Sequence, residues 1–378
     1  MAGGRTLRWR AFRLPMRHRF EAAHGTLADR EGVLIELADG DGQRGYGEAA
    51  PLPSFGGGAV ADVLALLDRH AAAIVEHEAS EEDEHAPGVA ALRCALDVAS
   101  LDLEARRAGV TVAALLAGSG GAVPAEGVAV NAVIGDGPPA DVARFGAEAV
   151  ARGYRVLKVK VGVAPVAEDV LRIGALRAAC PDAAIRLDAN GAWDEATAMG
   201  IVDALAALDI ELIEQPVAAG DVEALARVRE RASMPIAADE AMLDPATRAR
   251  VLETRAADLV VLKPMLLGGL RPAFAVARDA AARGLGAIVT TTFDSSVGTA
   301  ASLHLAAALA GIAVDGAPRR ALAHGLGTGE HLAADVVAET LVARDGWMAL
   351  PEGAGLGVVP DEDALASVSA DDWSTYRR

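Results

Sequence analysis

The chain has 378 residues, enough for one large domain and a smaller one with a sizeable core. Hydrophobic residues make up 52% of the chain but aromatic residues only 3%, so the core must consist mainly of small aliphatic side chains. A formal net charge of −18 at pH 7 leaves no basic surface for nucleic acid or an anionic membrane, and neither is expected as a partner.

The sequence favours a cytoplasmic protein without disulfide bonds. No stretch reaches the roughly 18 uninterrupted apolar residues of a membrane-spanning helix. The N-terminus lacks the apolar stretch of a signal peptide. Cys94 and Cys180 lie far apart in predicted helices, which favours two buried thiols.

The first third of the chain predicts a small α+β unit. Alternating apolar residues predict strands at 7–14, 32–37 and 46–50, and a loop rich in proline and glycine covers 49–58. Helices are predicted at 59–75 and 88–109, separated by an acidic stretch at 76–85 that is typical of a solvated loop. We expect residues 1–122 to form a capping domain, completed by the C-terminal segment 329–378.

From residue 123 onwards, strands and helices alternate. Strands are predicted at 127–134, 155–161, 184–188, 210–214, 235–238, 259–263, 286–291 and, as an eighth, 321–324, with amphipathic helices between them. This alternation favours a parallel sheet, and the number of units favours a closed barrel over 123–328. The predicted fold class is therefore α/β, a (β/α)8-type barrel with an α+β N-terminal capping domain.

Two lysines lie on the second barrel strand. Because Lys158 and Lys160 are two positions apart in a strand, both side chains point to the same face. Inside a barrel, their mutual repulsion and a nearby metal would ease the loss of a proton, so that one could act as a base. A solvent-facing pair on an edge strand fits poorly, since a closed barrel has no edge strand.

Three carboxylates end the next three strands. Asp188, Glu214 and Asp239 recur at intervals of about 25 residues, close to the length of one strand and helix unit. They would therefore meet at the C-terminal end of the barrel. Three carboxylates there need a divalent cation to compensate their charge, and all-oxygen ligation favours Mg²⁺, with Mn²⁺ as an alternative, over zinc. Each acid alone could be a helix N-cap or a solvated loop residue, but three in register argue against that.

Further candidates follow the third acid. Lys263 ends the next strand on the far side of the acids, and its alternative role is that of a Schiff-base nucleophile without a metal. The glycine-rich stretch after it indicates that the backbone at Gly268 approaches a ligand. In the loop after the seventh strand, Ser295 and Ser296 could bind a substrate carboxylate at a helix N-terminus, or could serve only as N-cap residues.

These motifs together resemble the enolase superfamily, muconate-lactonizing subgroup. The resemblance rests on the KxK pair, the Asp/Glu/Asp series, the DE dipeptide at the third acid and the lysine of VLKP. It covers nearly the whole chain, and GYGEAAPLPSF is similar to the cap-domain loop that closes over substrate. It implies Mg²⁺ on the three carboxylates, Lys160 as the base assisted by Lys158, and Lys263 over the opposite face of the substrate. Asn190 is expected among the substrate-binding residues.

Within the subgroup, GEAAPLPSF, KPMLLGGL and TTFDSSVG are most similar to the o-succinylbenzoate synthases. This implies a lyase of menaquinone biosynthesis acting on a small anionic carboxylate, 2-succinyl-6-hydroxy-2,4-cyclohexadiene-1-carboxylate, to give 2-succinylbenzoate. A dipeptide epimerase is disfavoured, because the DxD motif that such enzymes carry on the eighth strand is missing from 317–328. An N-acylamino acid racemase and a muconate cycloisomerase stay open, whereas the intact set of charges disfavours a non-catalytic binding protein. The oligomeric state is open, and a homo-oligomer is compatible with the sequence.

Overall fold

An antiparallel sheet opens the fold. The computed structural model describes residues 5–22, 25–76, 86–118, 124–135, 137–312 and 322–377. Its first strands are β1 (Thr6–Ala22), β2 (Gly25–Ala38) and β3 (Arg44–Ala49), and the C-terminal strand β13 (Ser374–Arg377) pairs with β1. The sheet order is β13-β1-β2-β3, so the end of the chain returns to the N-terminal sheet. The three predicted strands are confirmed in position, although β1 and β2 are longer than the apolar alternation predicts.

Helices cover this sheet at close range. They are α1 (Val60–Glu76), α2 (Val89–Ala108) and the short α3 (Val112–Ala117). Gly45 and Gly47 of β3 face α2, and a Cβ atom at either position would collide with the carbonyl oxygen of Ala99 or Ala95. The close approach of helix and sheet therefore depends on these glycines. Most of the predicted acidic loop, 77–85, lies outside the described residues.

A curled parallel sheet forms the second part of the molecule. Its strands, in spatial order, are β5 (Ala132–Ile134), β6 (Val156–Lys160), β7 (Ala184–Asp188), β8 (Ile210–Glu214), β9 (Ile236–Ala238), β10 (Leu259–Leu262) and β11 (Gly286–Val289). The helices among them are α4 (Pro139–Ala151), α5 (Val166–Ala179), α6 (Glu195–Leu205), α7 (Val222–Arg231), α8 (Pro245–Thr254), α9 (Pro264–Leu267), α10 (Leu270–Ala282) and α11 (Ser296–Leu309). The predicted α/β architecture is confirmed.

A short eighth element joins the two edges of this sheet. His324 forms a parallel bridge with Val130, and Gly325 forms one with Thr290. The segment therefore lies between the first and the last strand and brings the sheet toward a closed barrel. Among the described residues of the strand predicted at 321–324, His324 forms such a bridge; Gly325 lies just beyond that range, and Ala321 lies outside the described residues.

The first predicted barrel strand, 127–134, is split. β4 (Gly127–Ala129) pairs antiparallel with β12 (Trp347–Ala349), and only β5 joins the parallel sheet. The strand changes partner because the N–H of Val130 donates to Gly346 O, while that of Asn131 donates to His324 O. The C-terminal segment also contains α12 (Glu362–Val368).

The core is aliphatic, as the composition predicts. Leu212, Val261 and Ile288 belong to a cluster between the barrel strands, and Leu212 shares its face with Glu214 two positions later. Both cysteines are buried and free, which confirms the prediction for them. Within the described residues, no helix is both long and apolar enough to cross a membrane.

Candidate active site

Six charged side chains from five consecutive strands meet at the C-terminal end of the parallel sheet. Lys158 and Lys160 lie on β6, Asp188 and Glu214 end β7 and β8, and Asp239 and Lys263 directly follow β9 and β10. Lys160, Asp188 and Glu214 are paired in register across β6, β7 and β8, so they lie at one level. The interval of about 25 residues thus brings these side chains to one place.

Each carboxylate is paired with a lysine. Lys158 Nζ lies 2.9 Å from Asp188 Oδ2 and 2.8 Å from Glu214 Oε2. Lys160 Nζ lies 2.7 Å from Asp188 Oδ2, and Lys263 Nζ contacts both oxygens of Asp239. The three acidic residues are at most 3% exposed, so the pairs are largely shielded from water.

The carboxylates hold two of the lysines in their ammonium form. Burial lowers the pKa of Lys158, but the charges of Asp188 and Glu214 outweigh burial and raise this pKa above its usual value. For Lys263, burial likewise lowers the pKa, and the charge of Asp239 reverses the direction. Without a bound cation, the carboxylate neighbours of Lys158 thus favour its ammonium form, and the expectation that repulsion and a nearby metal ease proton loss from the lysine pair stays a prediction.

The crowding of the buried carboxylates shifts the pKa of Glu214. Burial and the charge of Asp188 raise the pKa of Glu214 to about 7. For Asp188, burial raises the pKa, but Lys158 and Lys160 outweigh it and hold the pKa below its usual range. A cation bound between the carboxylates would relieve the repulsion that acts on Glu214.

The donor set suits a hard divalent cation. Asp188, Glu214 and Asp239 offer only carboxylate oxygens, the ligands that Mg²⁺ prefers. Within the described ranges, no three ligating side chains are arranged so that they could hold a metal ion. In this arrangement the oxygens face lysine ammonium groups instead. The three acids fit Mg²⁺ in chemistry, and on binding they would exchange lysine contacts for metal contacts.

Two amide side chains order the strand ends. Asn190 accepts a hydrogen bond from Lys160 Nζ at 2.6 Å and donates through Nδ2 to Glu240 Oε1 at 2.8 Å. Asn190 is therefore brought to the lysine rather than left alone in a loop. Buried Gln215 accepts from the backbone N–H of Asp239 at 2.9 Å and fixes the turn that carries this acid. Gln215 is not among the predicted residues, and only its position directly after Glu214 could have indicated it.

A loop from the N-terminal sheet covers Lys263. The ring of Phe55, in the 3₁₀ turn Pro53–Phe55, has its centroid 5.0 Å from Lys263 Nζ, within the range of a cation–π contact. Arg30 of β2 anchors the start of this loop, donating to Pro51 O at 2.6 Å and to Thr292 O at 3.0 Å. The resemblance predicted a loop ending at Phe55 that closes over substrate, but neither the contact of Phe55 with Lys263 nor the anchor Arg30, because these contacts join segments far apart in the chain.

The two predicted serines bind protein carboxylates. Ser295 is the N-cap of α11, and its N–H and hydroxyl donate to Glu48 of β3. The hydroxyl of Ser296 donates to Asp335 Oδ2 at 2.6 Å. Both serines are buried and tie the loop after β11 to β3 and to the C-terminal segment. The geometry gives their predicted substrate contact no support, and that role stays a prediction.

Gly268 lies against the N-terminal helices. It ends α9 with φ +81, in the left-handed region that favours glycine. A Cβ at its neighbour Gly269 would collide with Asp97 of α2. This glycine-rich stretch therefore allows close packing of α9 on α2, and a ligand contact at Gly268 stays a prediction.

The described end of the eighth strand carries no carboxylate. Residues 322–328 contain neither Asp nor Glu, whereas 317–321 and Asp315 lie outside the described residues. His324 is buried and its Nδ1 accepts from the N–H of Val289 at 3.0 Å. Burial lowers the pKa of His324 to about 3, so the ring stays neutral and serves the closure of the sheet.

Comparison with known proteins agrees with this arrangement. Residues 141–364 match the family described as "Enolase C-terminal domain-like", and residues 5–99 match "MenC, N-terminal domain". An o-succinylbenzoate synthase of Thermobifida fusca is 33% identical over 96% of this chain and 92% of its own length. A muconate cycloisomerase 1 of Rhodococcus opacus is 30% identical over 88% and 89% of the two chains. An N-succinyl-L-Arg/Lys racemase of Bacillus cereus is 30% identical over 78% and 82%.

Solved structures share the fold over the whole length. The crystal structure of the N-succinyl Arg/Lys racemase from Bacillus cereus covers 100% of both chains with a TM-score of 0.85 and 26% identity. A dipeptide epimerase from Enterococcus faecalis, complexed with Mg and the dipeptide L-Leu-L-Tyr, covers 95% of this chain and 99% of its own, with a TM-score of 0.81 and 26% identity. These relatives catalyse different reactions on one scaffold. The family matches, the shared fold and the strand-end charges together establish that the chain belongs to the enolase superfamily of enzymes.

Proposed function

We propose that this enzyme abstracts a proton alpha to a carboxylate and then eliminates water, as an o-succinylbenzoate synthase does. The proposed substrate is 2-succinyl-6-hydroxy-2,4-cyclohexadiene-1-carboxylate and the product is 2-succinylbenzoate. The observation that carries the reaction class is the placement of Lys160 and Lys263. β6 and β10 are separated by three strands of the sheet, so their lysines flank the three carboxylates from opposite sides. The charged residues of the proposed site thus lie between positions 158 and 263 of the chain.

The proposed chemistry starts from a very weak carbon acid. When bound to Asp188, Glu214 and Asp239, Mg²⁺ or Mn²⁺ would supply Lewis-acid stabilisation of the charge that develops on the substrate carboxylate. Lys160, in its amine form, takes the proton from C1 of the ring. Lys263 faces the substrate from the other side, and its ammonium group stabilises the developing negative charge.

The elimination balances without any further reactant. The electron pair of the broken C1–H bond forms the C1–C6 double bond, and the C6–O bond breaks. The proton now on Lys160 is available to the departing hydroxyl on the same face of the ring, so that water leaves and the lysine returns to its amine form. This course is a syn-dehydration, and it needs no oxidant because the third double bond completes an aromatic ring.

Three observations support dehydration. The N-terminal part matches the MenC domain over 5–99. The o-succinylbenzoate synthase of Thermobifida fusca aligns over 96% of this chain, more than the 78% of the Bacillus cereus racemase. The described residues 322–328 offer no carboxylate for the ammonium group of a dipeptide.

A racemase of N-acylated amino acids is the second candidate. It is favoured by the two flanking lysines, since one could remove the alpha proton from each enantiomer, and by the similarity to the N-succinyl Arg/Lys racemase. Both candidates use the same side chains and the same class of metal. The two reactions diverge once the proton has been removed, because water is lost in one case and a proton returns to the carbon in the other.

The test compares both reactions in one preparation. The enzyme is incubated in D₂O with Mg²⁺ and either the cyclohexadiene carboxylate or N-succinyl amino acids. We expect rapid formation of the aromatic product, with alpha-deuterium incorporation into the N-succinyl amino acids slower by at least tenfold in kcat/KM. Rapid deuterium incorporation into both enantiomers without any aromatic product would reject dehydration in favour of the racemase.

A further inference from the structure

Asn190 and Glu240 form a chain of hydrogen bonds behind Lys160. Lys160 Nζ donates to Asn190 Oδ1 at 2.6 Å, and Asn190 Nδ2 donates to Glu240 Oε1 at 2.8 Å. We infer that Asn190 is a positioning residue for Lys160 rather than a ligand of the substrate, and that Glu240 sets the orientation of its amide. This inference rests on the proposed role of Lys160 as the base.

The donor and acceptor types permit one arrangement of this chain. A lysine ammonium can only donate, and an ionised carboxylate can only accept. Asn190 must therefore turn its oxygen to Lys160 and its NH₂ group to Glu240. Glu240, which accepts from the NH₂ group of Asn190, thereby decides which end of the amide the lysine meets.

The backbone fixes Asn190 further. Its φ of +44 lies in the left-handed region, which asparagine and aspartate enter more readily than other residues with a Cβ atom. Its N–H donates to Asp188 Oδ1 at 3.1 Å. The residue is thus held at its backbone and at both ends of its side chain, as a positioning group must be.

Lys160 needs such a partner more than its neighbour does. The side chain of Lys160 is 31% exposed and that of Lys158 is 13% exposed, so the stem of Lys160 is less confined by packing. Its other partner, Asp188, is shared with Lys158. The amide oxygen of Asn190 accepts from an amine as well as from an ammonium, so the contact can persist through both forms that a base adopts.

Three variants test the inference. In Asn190→Asp the carboxylate at position 190 faces that of Glu240, and we expect kcat for dehydration to fall about 10- to 100-fold with little change in KM. In Glu240→Gln the amide oxygen at position 240 can still accept from Asn190, so a loss of only a few-fold is expected. In the double variant the glutamine at 240 can donate to the carboxylate at 190, and kcat should recover at least tenfold from the level of Asn190→Asp.

The double variant has the same net charge as the wild type. Its kinetics therefore separate the effect of side-chain orientation from the effect of net charge. Aspartate also accepts the backbone conformation at 190, whereas alanine would add strain there. Asp194→Asn is the matched control. Asp194 is the exposed N-cap of α6 and lies in the same loop as Asn190, and its replacement removes one negative charge, as Glu240→Gln does. We expect its kinetics to equal those of the wild type.

A second readout does not require turnover. Crystal structures of the metal-free variants should show Lys160 Nζ displaced from its place 2.7 Å from Asp188 Oδ2 in Asn190→Asp and returned there in the double variant. If Asn190→Asp raises KM alone and Glu240→Gln gives no recovery, Asn190 binds substrate and the inference is rejected. An unmoved Lys160 in Asn190→Asp would also reject it. If the wild type fails to dehydrate the substrate while Lys160 moves as expected, the proposed function fails and the positioning role stands.

Discussion

The two outer lysines of the site have different surroundings at the residue scale. The side chain of Lys263 is 10% exposed, pairs with Asp239 and lies under the ring of Phe55. That of Lys160 is 31% exposed and contacts Asp188 and the neutral amide of Asn190. This asymmetry suits a division of labour, with a fixed positive charge on one side of the substrate and a proton acceptor on the other.

Substitutions of Lys263 test that division. Lys263→Ala removes the stabilising charge, and we expect kcat for dehydration to fall about 10²–10³-fold. Lys263→Arg keeps the charge and should retain more activity, although the guanidinium packs differently. In a two-base racemase both variants should abolish exchange from one enantiomer equally. The measurement is kcat and deuterium exchange for both proteins after thermal melting has shown that they are folded; an arginine variant as inactive as the alanine variant contradicts the assigned role.

The residue types of the site, but not their electrostatics, could be predicted from the sequence. Spacing places Lys158, Asp188 and Glu214 at successive strand ends, because each strand and helix unit has a similar length. The direction of the Lys158 pKa shift depends on distances to carboxylates on other strands, and spacing does not contain these. The predicted contact of Ser295 and Ser296 with a substrate carboxylate has no support in the structure, for a related reason. The hydrogen-bond partners of these serines come from β3 and from the C-terminal segment.

At the scale of elements, buried polar side chains connect the antiparallel sheet to the barrel. Arg30 of β2 donates to the loop after β3 and to the loop after β11. Glu48 of β3 binds the N-terminus of α11, accepting from Ser295 and from the N–H of Gly298. The loop that carries Phe55 over Lys263 therefore owes its position to contacts outside the loop itself.

Replacing Arg30 tests this connection. Arg30 is 2% exposed, so Arg30→Met leaves carbonyl oxygens and the nearby carboxylate of Glu48 without their cation, and we expect a loss of about 3–5 kcal/mol in the free energy of unfolding. Arg30→Lys should recover only part of it, because one ammonium cannot replace the fork of donors. Arg13→Met is the control, since this exposed arginine on the neighbouring strand pairs only at the surface and should change stability by less than about 1 kcal/mol. If urea unfolding showed the same loss in the free energy of unfolding for Arg30→Met and Arg13→Met, the result would contradict the account.

A buried histidine of α11 should make the free energy of unfolding depend on pH. Nδ1 of His304 accepts from Ala113 N at 3.3 Å, and Nε2 donates to Leu356 O at 3.0 Å. Burial lowers the pKa of His304 from 6.5 to about 4. Between these values the unfolded chain binds a proton that the folded chain does not bind. The free energy of unfolding should therefore be greatest above pH 6.5 and fall by about 1.4 kcal/mol per pH unit from this group as the pH decreases toward 4.

Urea unfolding at pH 7 and pH 5 measures the effect of His304. His304→Gln cannot take up a proton in this range, so its stability should change less between the two pH values than that of the wild type. A change of the same size in both proteins would show that His304 does not contribute.

At the scale of the whole molecule, local periodicity predicted the architecture and non-local contacts completed it. The alternation of strands and helices between β5 and β11 is visible in the sequence, because each element buries one of its own faces. The closing strand near His324 was predicted in approximate position, but its bridges to Val130 and Thr290 and the departure of β4 to pair with β12 were not, since each depends on which distant backbone groups remain to be bonded. The division at residues 122 and 123 stays a prediction, because 119–123 lie outside the described residues.

The central claim is that Lys160 removes the alpha proton of the cyclohexadiene carboxylate in a site completed by a divalent cation. The most direct measurement is the rate at which the aromatic product appears, with Mg²⁺ present, for the wild type and for Lys160→Ala. We predict rapid formation of 2-succinylbenzoate by the wild type, its loss after thorough chelation, and a decrease of more than about 10²–10⁴-fold in a folded Lys160→Ala variant. Full activity after chelation, or near wild-type dehydration by folded Lys160→Ala, would contradict the account.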